Sequence, residues 1–139
     1  MIHESHASHI ASAFSCIDIL AVLYSGIANV TPENIKSPNH DRIILSKGHA
    51  GSALYAILAE KNFINKDLLK TYYANGSFLS GHVSHKNVNG VEFSTGSLGQ
   101  GVCVACGMAL ANRIHKNPSK VFAVIGDGEN EEGSIWEMA

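Results

Sequence analysis

Two short apolar runs, each followed at once by glycine and polar residues, constrain the fold of this chain most. Arg42–Leu45 leads into Ser46-Lys47-Gly48-His49, and Val121–Ile125 leads into Gly126-Asp127-Gly128. Strands that are apolar throughout are typical of a parallel sheet, and helical patterns separate the two runs. The sequence therefore predicts an α/β fold, with helices on both faces of a parallel sheet. Ligands in such folds bind beyond the carboxyl ends of the strands, where His49 and Asp127 are expected.

The rest of the chain shows helical periodicity and one long irregular stretch. Apolar residues at helical spacing predict a first amphipathic helix, and they are Ile10, Phe14, Ile17, Ala21, Tyr24 and Ala28. Further helices are predicted over 52–60, 66–74 and 98–115 and from Ser134. In the 98–115 helix, the residues whose spacing predicts a shared packing face are Val102, Cys106, Ala109, Leu110 and Arg113. Residues 75–97 show no period, and such long loops are usually functional or disordered.

Composition narrows the class of protein. A chain of 139 residues with 45% apolar composition suits one domain, spanning 1–139, and a net charge of -2 does not predict nucleic-acid binding. No apolar run reaches the roughly 18 residues of a membrane span, and the start lacks a leader pattern. Three cysteines suit a reducing compartment, so a cytoplasmic location is expected. Cys103 and Cys106 are expected to serve close packing and not a metal or redox site.

The turn Gly126-Asp127-Gly128 combines the glycines of a phosphate loop with acidic residues. It lacks the lysine of a nucleotide-hydrolase loop. It also lacks the third glycine of the G-x-G-x-x-G dinucleotide fingerprint, because Gly133 comes two positions too late. A carboxylate would repel a diphosphate unless a divalent cation lay between them, so Asp127 is a candidate Mg²⁺ or Ca²⁺ ligand. A turn that caps the next helix is an equally good interpretation. Glu129 and Glu131 are expected at the helix start or in solvent.

Two other groups of residues are candidates for chemistry. The segment 94–101, Ser-Thr-Gly-Ser-Leu-Gly-Gln-Gly, opens a helix and could bring its backbone close to an anion or a polar ring, although a plain helix entry is the favoured interpretation of this segment taken alone. His9, His49 and His82 have small neighbours and could face a ligand, although any one of them could be an ordinary core or surface histidine. The remaining histidines His40, His85 and His115 are expected on the surface.

In order along the chain, these motifs resemble the start of a transketolase, a thiamine diphosphate enzyme. The matching segments are Ser8–Leu20, Leu45-Ser46-Lys47-Gly48-His49, Ser80-Gly81-His82, Glu92–Gly101, and Gly126-Asp127-Gly128 followed by Glu132-Gly133. Five motifs in the family's order span nearly the whole chain. The sequence resembles most the two-subunit transketolases, whose amino-terminal half is a separate polypeptide.

The resemblance implies a role for each candidate. Asp127 would hold Mg²⁺ or Ca²⁺ against the diphosphate of thiamine diphosphate, Gly128 would add a backbone contact, and His49 would approach the diphosphate. Backbone groups of Gly96, Ser97 and Leu98 would line the aminopyrimidine ring. His9 and His82 would face the hydroxyls of a sugar or sugar phosphate. The implied reaction moves a two-carbon ketol unit from a ketose to an aldose, and the cofactor supplies the carbanion chemistry.

The sequence also departs from the family pattern. His9-Ile10-Ala11 replaces a more open motif, a metal-binding Asn is expected beyond Ala139, and a catalytic glutamate is expected from a pyrimidine-binding partner in a homo- or hetero-oligomer. Met1 is expected to begin inside the first helix, with Ile2 continuing its apolar phase. The domain is therefore expected to be incomplete at both ends and inactive alone. A 1-deoxyxylulose-5-phosphate synthase type enzyme and a non-catalytic assembly domain remain alternatives.

Overall fold

A parallel pair of strands forms the centre of the computed structural model, which describes all residues from Met1 to Ala139. Strand β1 is Arg42–Leu45 and strand β2 is Val121–Val124, with Leu45 opposite Val124 at their carboxyl ends. Five α-helices accompany them: α1 Ile2–Ser5, α2 Ile10–Val22, α3 Gly51–Glu60, α4 Gln100–Ile114 and α5 Gly133–Met138. The predicted α/β class and the parallel sheet are confirmed.

The two faces of the sheet receive different helices. Side chains alternate along a strand, so Ile43 and Leu45 join the main core cluster with α2 and α3. Ile44, which is 1% exposed, points to the other face, and α4 contacts both strands. Strand β2 is covered less completely than expected, because Val121, Phe122 and Ala123 are only half-buried.

Helix α2 has the predicted period but a different phase. Its buried residues are Ala13, Cys16 and Leu20, whereas Ile10 and Phe14 are 52% and 68% exposed. A π-turn, Leu23–Ile27, continues the helix to Gly26, whose φ of 137° ends it. Periodicity alone fixes the spacing of apolar residues on a helix but not which stripe faces the core.

The segment Ile10–Ile27 is long and apolar enough to span a membrane, by length and composition alone. The expectation that no such run exists is therefore wrong. The same segment contains the exposed Asp18, and its Leu20 is fully buried in the core cluster. Core helices of globular proteins pass the same test of length and composition.

The amino-terminal residues also differ from the prediction. Ile2 does not continue the first long helix, because α1 stops at His6 (φ 51°) and α2 starts only after His9 (φ 69°). Both histidines adopt the left-handed conformation, which is uncommon outside glycine. The resulting bend turns the His9 backbone out of the helical path.

The remaining elements are short turns and loops. Residues Gly48–Ala50, Lys66–Thr71 and Gly128–Glu131 are 3₁₀ turns, so the predicted helix over 66–74 is a shorter and tighter turn. Residues 75–97 contain no helix or strand, as predicted. In α4 the buried residues are Gly101, Val102 and Ala105. Cys106, Ala109, Leu110 and Arg113 are exposed, which corrects the predicted packing face, and Cys106 is not a buried packing residue.

Candidate functional site

The candidate site forms where both strands end. The Ser46 N–H donates to the carbonyl of Val124 (2.9 Å), so the two loops that follow the strands start side by side. The Thr95 hydroxyl donates to the Leu45 carbonyl (2.7 Å), which adds the glycine-rich segment to the same edge. Three loops far apart in sequence thus meet at the carboxyl end of the sheet, as α/β topology requires.

A cavity of about 380 Å³ opens at this edge. Its lining comes from the start of α2, the loops after both strands and the glycine-rich segment: Ala11, Ser12, Ser15, Lys47, His49, Leu98, Gly126, Asp127, Gly128 and Glu129. Of the candidates from the sequence, His49, Leu98, Asp127 and Gly128 therefore lie together. Gly96, Ser97, His9 and His82 do not line this cavity.

Glu129 is the centre of the site, although the sequence indicated a solvent-facing residue. Its side chain is 1% exposed and accepts three hydrogen bonds, from the Ser46 hydroxyl (2.5 Å), the Gly99 N–H (2.9 Å) and the Gly126 N–H (3.1 Å). Each donor belongs to a different loop of the site. A buried carboxylate with three donors is well satisfied, and it fixes the three loops relative to one another.

Lys47 is a buried cation without an acidic partner. Its residue is 6% exposed, and its Nζ donates to the Ser12 carbonyl (3.1 Å) and the Ser15 hydroxyl (2.7 Å), both neutral acceptors. It forms no ion pair. A buried charge is costly unless an opposite charge lies near it. The cavity beside Lys47 is thus suited to an anion.

Asp127 and Gly128 line the same cavity and are exposed. A Cβ added to Gly128 would meet no atom within 4 Å, so the space above its backbone is open to a ligand. No group of three His, Cys, Asp or Glu side chains converges to hold a metal ion, and Asp127 is the only acid other than Glu129 that lines the cavity.

The three predicted histidines form one cluster beside the cavity. The ring centroid of His9 lies 5.2 Å from that of His49 and 6.2 Å from that of His82. Burial, followed by the charges of His9, Lys47 and His82, lowers the pKa of His49 below its ordinary value, and Glu129 opposes this only in part. His49 is therefore neutral near pH 7 and able to accept a hydrogen bond.

Close backbone packing holds the glycine-rich segment beside these histidines. A Cβ on Gly48 would lie 2.3 Å from the Thr95 carbonyl oxygen, so only glycine allows this approach. The same loop places Gly96 next to His82, whose Cδ2 is 3.6 Å from the site of a Gly96 Cβ. Ser97 is exposed, and Leu98 reaches the cavity.

Comparison with known proteins gives the family. A family model described as "Transketolase, thiamine diphosphate binding domain" matches residues 1–139. The chain belongs to the transketolase family.

The transketolase relatives include proteins that are named as subunits. The chain is 43% identical over 131 residues to a 6-deoxy-6-sulfo-D-fructose transketolase subunit of Clostridium sp. (strain MSTE9), covering 94% of this chain and 48% of that one. It is 41% identical over 139 residues to an apulose-4-phosphate transketolase subunit of Phocaeicola vulgatus, covering all of this chain and 49% of that one. The chain thus spans about half the length of these curated relatives.

A solved transketolase from Campylobacter jejuni shares the fold. It superimposes with a TM-score of 0.79 at 33% identity, covering 87% of this chain and 20% of that one. The predicted family resemblance and the thiamine diphosphate-binding type of α/β fold are therefore confirmed.

A second buried polar cluster of this transketolase-family chain lies at the other end of β1. His40, expected on the surface, is 3% exposed and pairs through Nε2 with Glu92 Oε1 (2.6 Å). Arg42 pairs with the second Glu92 oxygen (2.5 Å). These bonds tie Glu92, which opens the segment leading to Gly96, to the start of the strand. His85 and His115 are exposed, as predicted.

Two site residues escaped the sequence prediction, Glu129 and Lys47. Both stand in short polar loops directly after apolar strands, next to the candidates that were chosen. Their position beyond the strand ends was the available signal, since every residue of these loops faces the same edge of the sheet. The decisive feature, burial, depends on chain segments 30 to 83 residues away.

Proposed function

We propose that this chain is the diphosphate-binding part of a transketolase that transfers a two-carbon ketol unit from a ketose to an aldose acceptor. The observation that carries this proposal is that Lys47, a buried cation without an acidic partner, and Asp127 line the same cavity of about 380 Å³. Such a cavity suits a diphosphate bridged by a divalent cation, because Lys47 attracts the anion directly and Asp127 attracts the metal. Family membership favours a transketolase over a 1-deoxyxylulose-5-phosphate synthase.

The donor set fits this group. Lys47, the hydroxyl of Ser12 and the open backbone at Gly128 would bind diphosphate oxygens. Asp127 would bind Mg²⁺ or Ca²⁺, while Gly96, Ser97 and Leu98 would border the aminopyrimidine ring and His49 would accept a hydrogen bond beside the diphosphate. Thiamine diphosphate, when bound, supplies the carbanion chemistry that breaks and forms the carbon–carbon bond.

His9 and His82 would act on the sugar. Their rings stand 6.2 Å apart at the exposed side of the histidine cluster, a spacing that leaves both imidazoles free to bond sugar hydroxyls. An imidazole nitrogen can either donate or accept a hydrogen bond, so each ring could hold or release the proton of a sugar hydroxyl while the adjacent carbon–carbon bond breaks or forms. Sugars and sugar phosphates are therefore the proposed substrates.

A partner subunit completes the proposed enzyme. Three relatives that match 94% or more of the chain are named as transketolase subunits, which supports a pyrimidine-binding partner that contributes the catalytic glutamate. We propose that the chain alone is inactive, that the enzyme is an oligomer in the cytoplasm, and that neither nucleic acid nor membrane is its partner. An assembly domain without catalysis is the competing function.

Calorimetry on the complex of this chain with its partner subunit tests the proposal. Thiamine diphosphate should bind only with Mg²⁺ or Ca²⁺ present, and Asp127→Asn should abolish this metal-dependent binding. Glu131→Gln, an exposed acid of the same turn, serves as the matched control and should leave binding unchanged. Cofactor binding that needs no metal, or that survives in Asp127→Asn, would contradict the assignment of Asp127. Absence of both cofactor binding and ketol transfer would favour the assembly domain.

A further inference from the structure

Tyr73 lies beside the two histidines that the proposed function gives to the sugar, and it has no part in that function as proposed. Its residue is 57% exposed and has a φ of 63°, a left-handed conformation that is unusual for an aromatic residue. Its backbone N–H donates to the Leu79 carbonyl (2.9 Å), which closes the loop between them and compensates for this conformation. The fold thus holds one aromatic ring at a defined place on the rim of the site.

Gly81 makes room for this ring. A Cβ on Gly81 would lie 2.2 Å from Tyr73 Cε2 and 2.8 Å from Cδ2, so the ring rests directly on the glycine backbone. The next residue is His82. One small depression is shared by Tyr73, His82 and His9, and its full lining is Ala7, Ser8, His9, Tyr72, Tyr73, Gly81 and His82. Any side chain at position 81 would displace the Tyr73 ring from this position.

A row of tyrosines connects the rim to the core. The ring centroids of Tyr73 and Tyr72 are 6.0 Å apart, and those of Tyr72 and Tyr55 are 6.1 Å apart. The Tyr55 hydroxyl donates to the His82 carbonyl (3.1 Å) and accepts from the Ser84 N–H (3.1 Å). Tyr55 is fully buried and Tyr72 is 4% exposed. The same row therefore supports both the Tyr73 ring and the loop of His82.

The depression has no permanently charged side chain in its lining. Its lining contains no Lys, Arg, Asp or Glu, and the Tyr73 hydroxyl makes no side-chain hydrogen bond within the chain. Lys70 lines a different pocket, which Tyr73 also borders, and it is paired with Asp67 (2.7 Å). An aromatic face with a free hydroxyl suits the hydroxylated carbon chain of a sugar better than a phosphate or a carboxylate.

We infer that Tyr73 is a specificity-determining residue that contacts the hydroxylated chain of the ketose donor beside His9 and His82. This inference rests on the proposed function. Its hydroxyl would bond a sugar hydroxyl, and its ring would cover the adjacent carbons. Tyr73 is thus expected to set the affinity for the sugar without affecting the affinity for the cofactor, which binds at the separate cavity lined by Lys47 and Asp127.

Steady-state kinetics of the complex with its partner subunit test the inference with four donors. Three are ketoses: apulose 4-phosphate, 6-deoxy-6-sulfo-D-fructose and D-xylulose 5-phosphate. The fourth, 3-hydroxypyruvate, carries the two-carbon unit without a sugar chain. Tyr73→Phe should raise KM for the best ketose about 2- to 10-fold, the effect of one neutral hydrogen bond. Tyr73→Asn, which tolerates the left-handed backbone, should raise it more than tenfold.

Two controls separate this effect from misfolding and from loss of the cofactor site. Phe78→Asn removes another exposed aromatic ring of the same loop, outside the depression, and should leave every KM unchanged. KM for 3-hydroxypyruvate and the Kd of thiamine diphosphate with Mg²⁺ should stay within twofold in both Tyr73 variants.

The outcomes distinguish this inference from the proposed function. A ketose KM within twofold of the wild type in both Tyr73 variants would overturn the role of Tyr73 and leave the transketolase assignment intact. Turnover of 3-hydroxypyruvate but of no ketose would overturn it as well, because no sugar chain would then reach Tyr73. A wild-type complex that binds no cofactor and turns over no donor would refute the proposed function itself.

Discussion

Replacing Glu129 with glutamine tests whether one buried carboxylate holds the site together. The change keeps the size of the side chain and leaves one oxygen to accept from the Ser46 hydroxyl and the Gly99 N–H. The new NH₂ group would face the Gly126 N–H, which then has no acceptor. Two charge-assisted hydrogen bonds become neutral ones, and one buried donor becomes unsatisfied.

The magnitude follows from these three bonds. An unsatisfied buried donor costs about 1–3 kcal/mol, and conversion of a charged hydrogen bond to a neutral one costs roughly 1 kcal/mol each. The expected loss in the free energy of unfolding is therefore about 3–5 kcal/mol. This is a large part of the roughly 5–15 kcal/mol that stabilises an ordinary domain.

Urea unfolding of the chain provides the assay. Trp136 is the only tryptophan, and its Nε1 donates to the Asn130 carbonyl (2.9 Å), one residue after Glu129, so its fluorescence reports on the same turn. Far-UV circular dichroism follows the helices. Glu131→Gln, an exposed acid two residues away, should change stability by less than about 0.5 kcal/mol. Equal losses in Glu129→Gln and Glu131→Gln would refute the argument that Glu129 joins the three loops.

Three further predictions concern individual residues of the site. Lys47→Met should weaken the binding of thiamine diphosphate with Mg²⁺ to the complex by at least about tenfold, the value of one charge-assisted bond, whereas the exposed Lys120→Met should not, and calorimetry decides. Gly48→Ala should destabilise the chain by more than about 2 kcal/mol, because the new Cβ would clash with the Thr95 backbone. Gly107→Ala has open space around the new Cβ and should be neutral or stabilising by up to about 1 kcal/mol. Urea unfolding measures both variants. Because folding lowers the pKa of His49, the unfolded chain binds more protons than the folded chain, and the free energy of unfolding should fall as the pH drops below about 6.5. Urea unfolding between pH 7 and pH 5 should show a smaller fall in His49→Gln than in the wild type. An equal fall in both proteins would contradict this role of His49.

The strands, and the edge of the sheet where the site lies, could be predicted because short local stretches of sequence determine them. Ile43, Ile44 and Leu45 form an apolar run, and a polar glycine turn follows it, so neither strand nor turn needs knowledge of distant residues. The same holds for His49 and Asp127, which stand at fixed offsets from the strand ends. Because the two strands are parallel, residues that follow them directly lie at the same edge of the sheet, and no knowledge of distant contacts is needed to place them there.

Burial of polar residues could not be predicted, because it depends on distant partners. His40 is buried by its bond to Glu92, 52 residues along the chain, and nothing near His40 indicates that partner. The phase of α2 failed for a related reason. Phe14 and Ala13 fit equally regular stripes, and packing of Cys16 and Leu20 into the core cluster selects the one that contains Ala13.

The acidic turn after β2 contains two carboxylates in different environments, one exposed to the cavity and one buried. Asp127 is exposed toward the cavity, where no protein donor holds its carboxylate and a cation has access to it. Glu129, two residues on, points back under the loops and accepts from Ser46, Gly99 and Gly126. The 3₁₀ turn Gly128–Glu131 separates the two side chains in this way. One acid is thus fully occupied by the protein, which leaves the other as the acid available for the proposed metal ion.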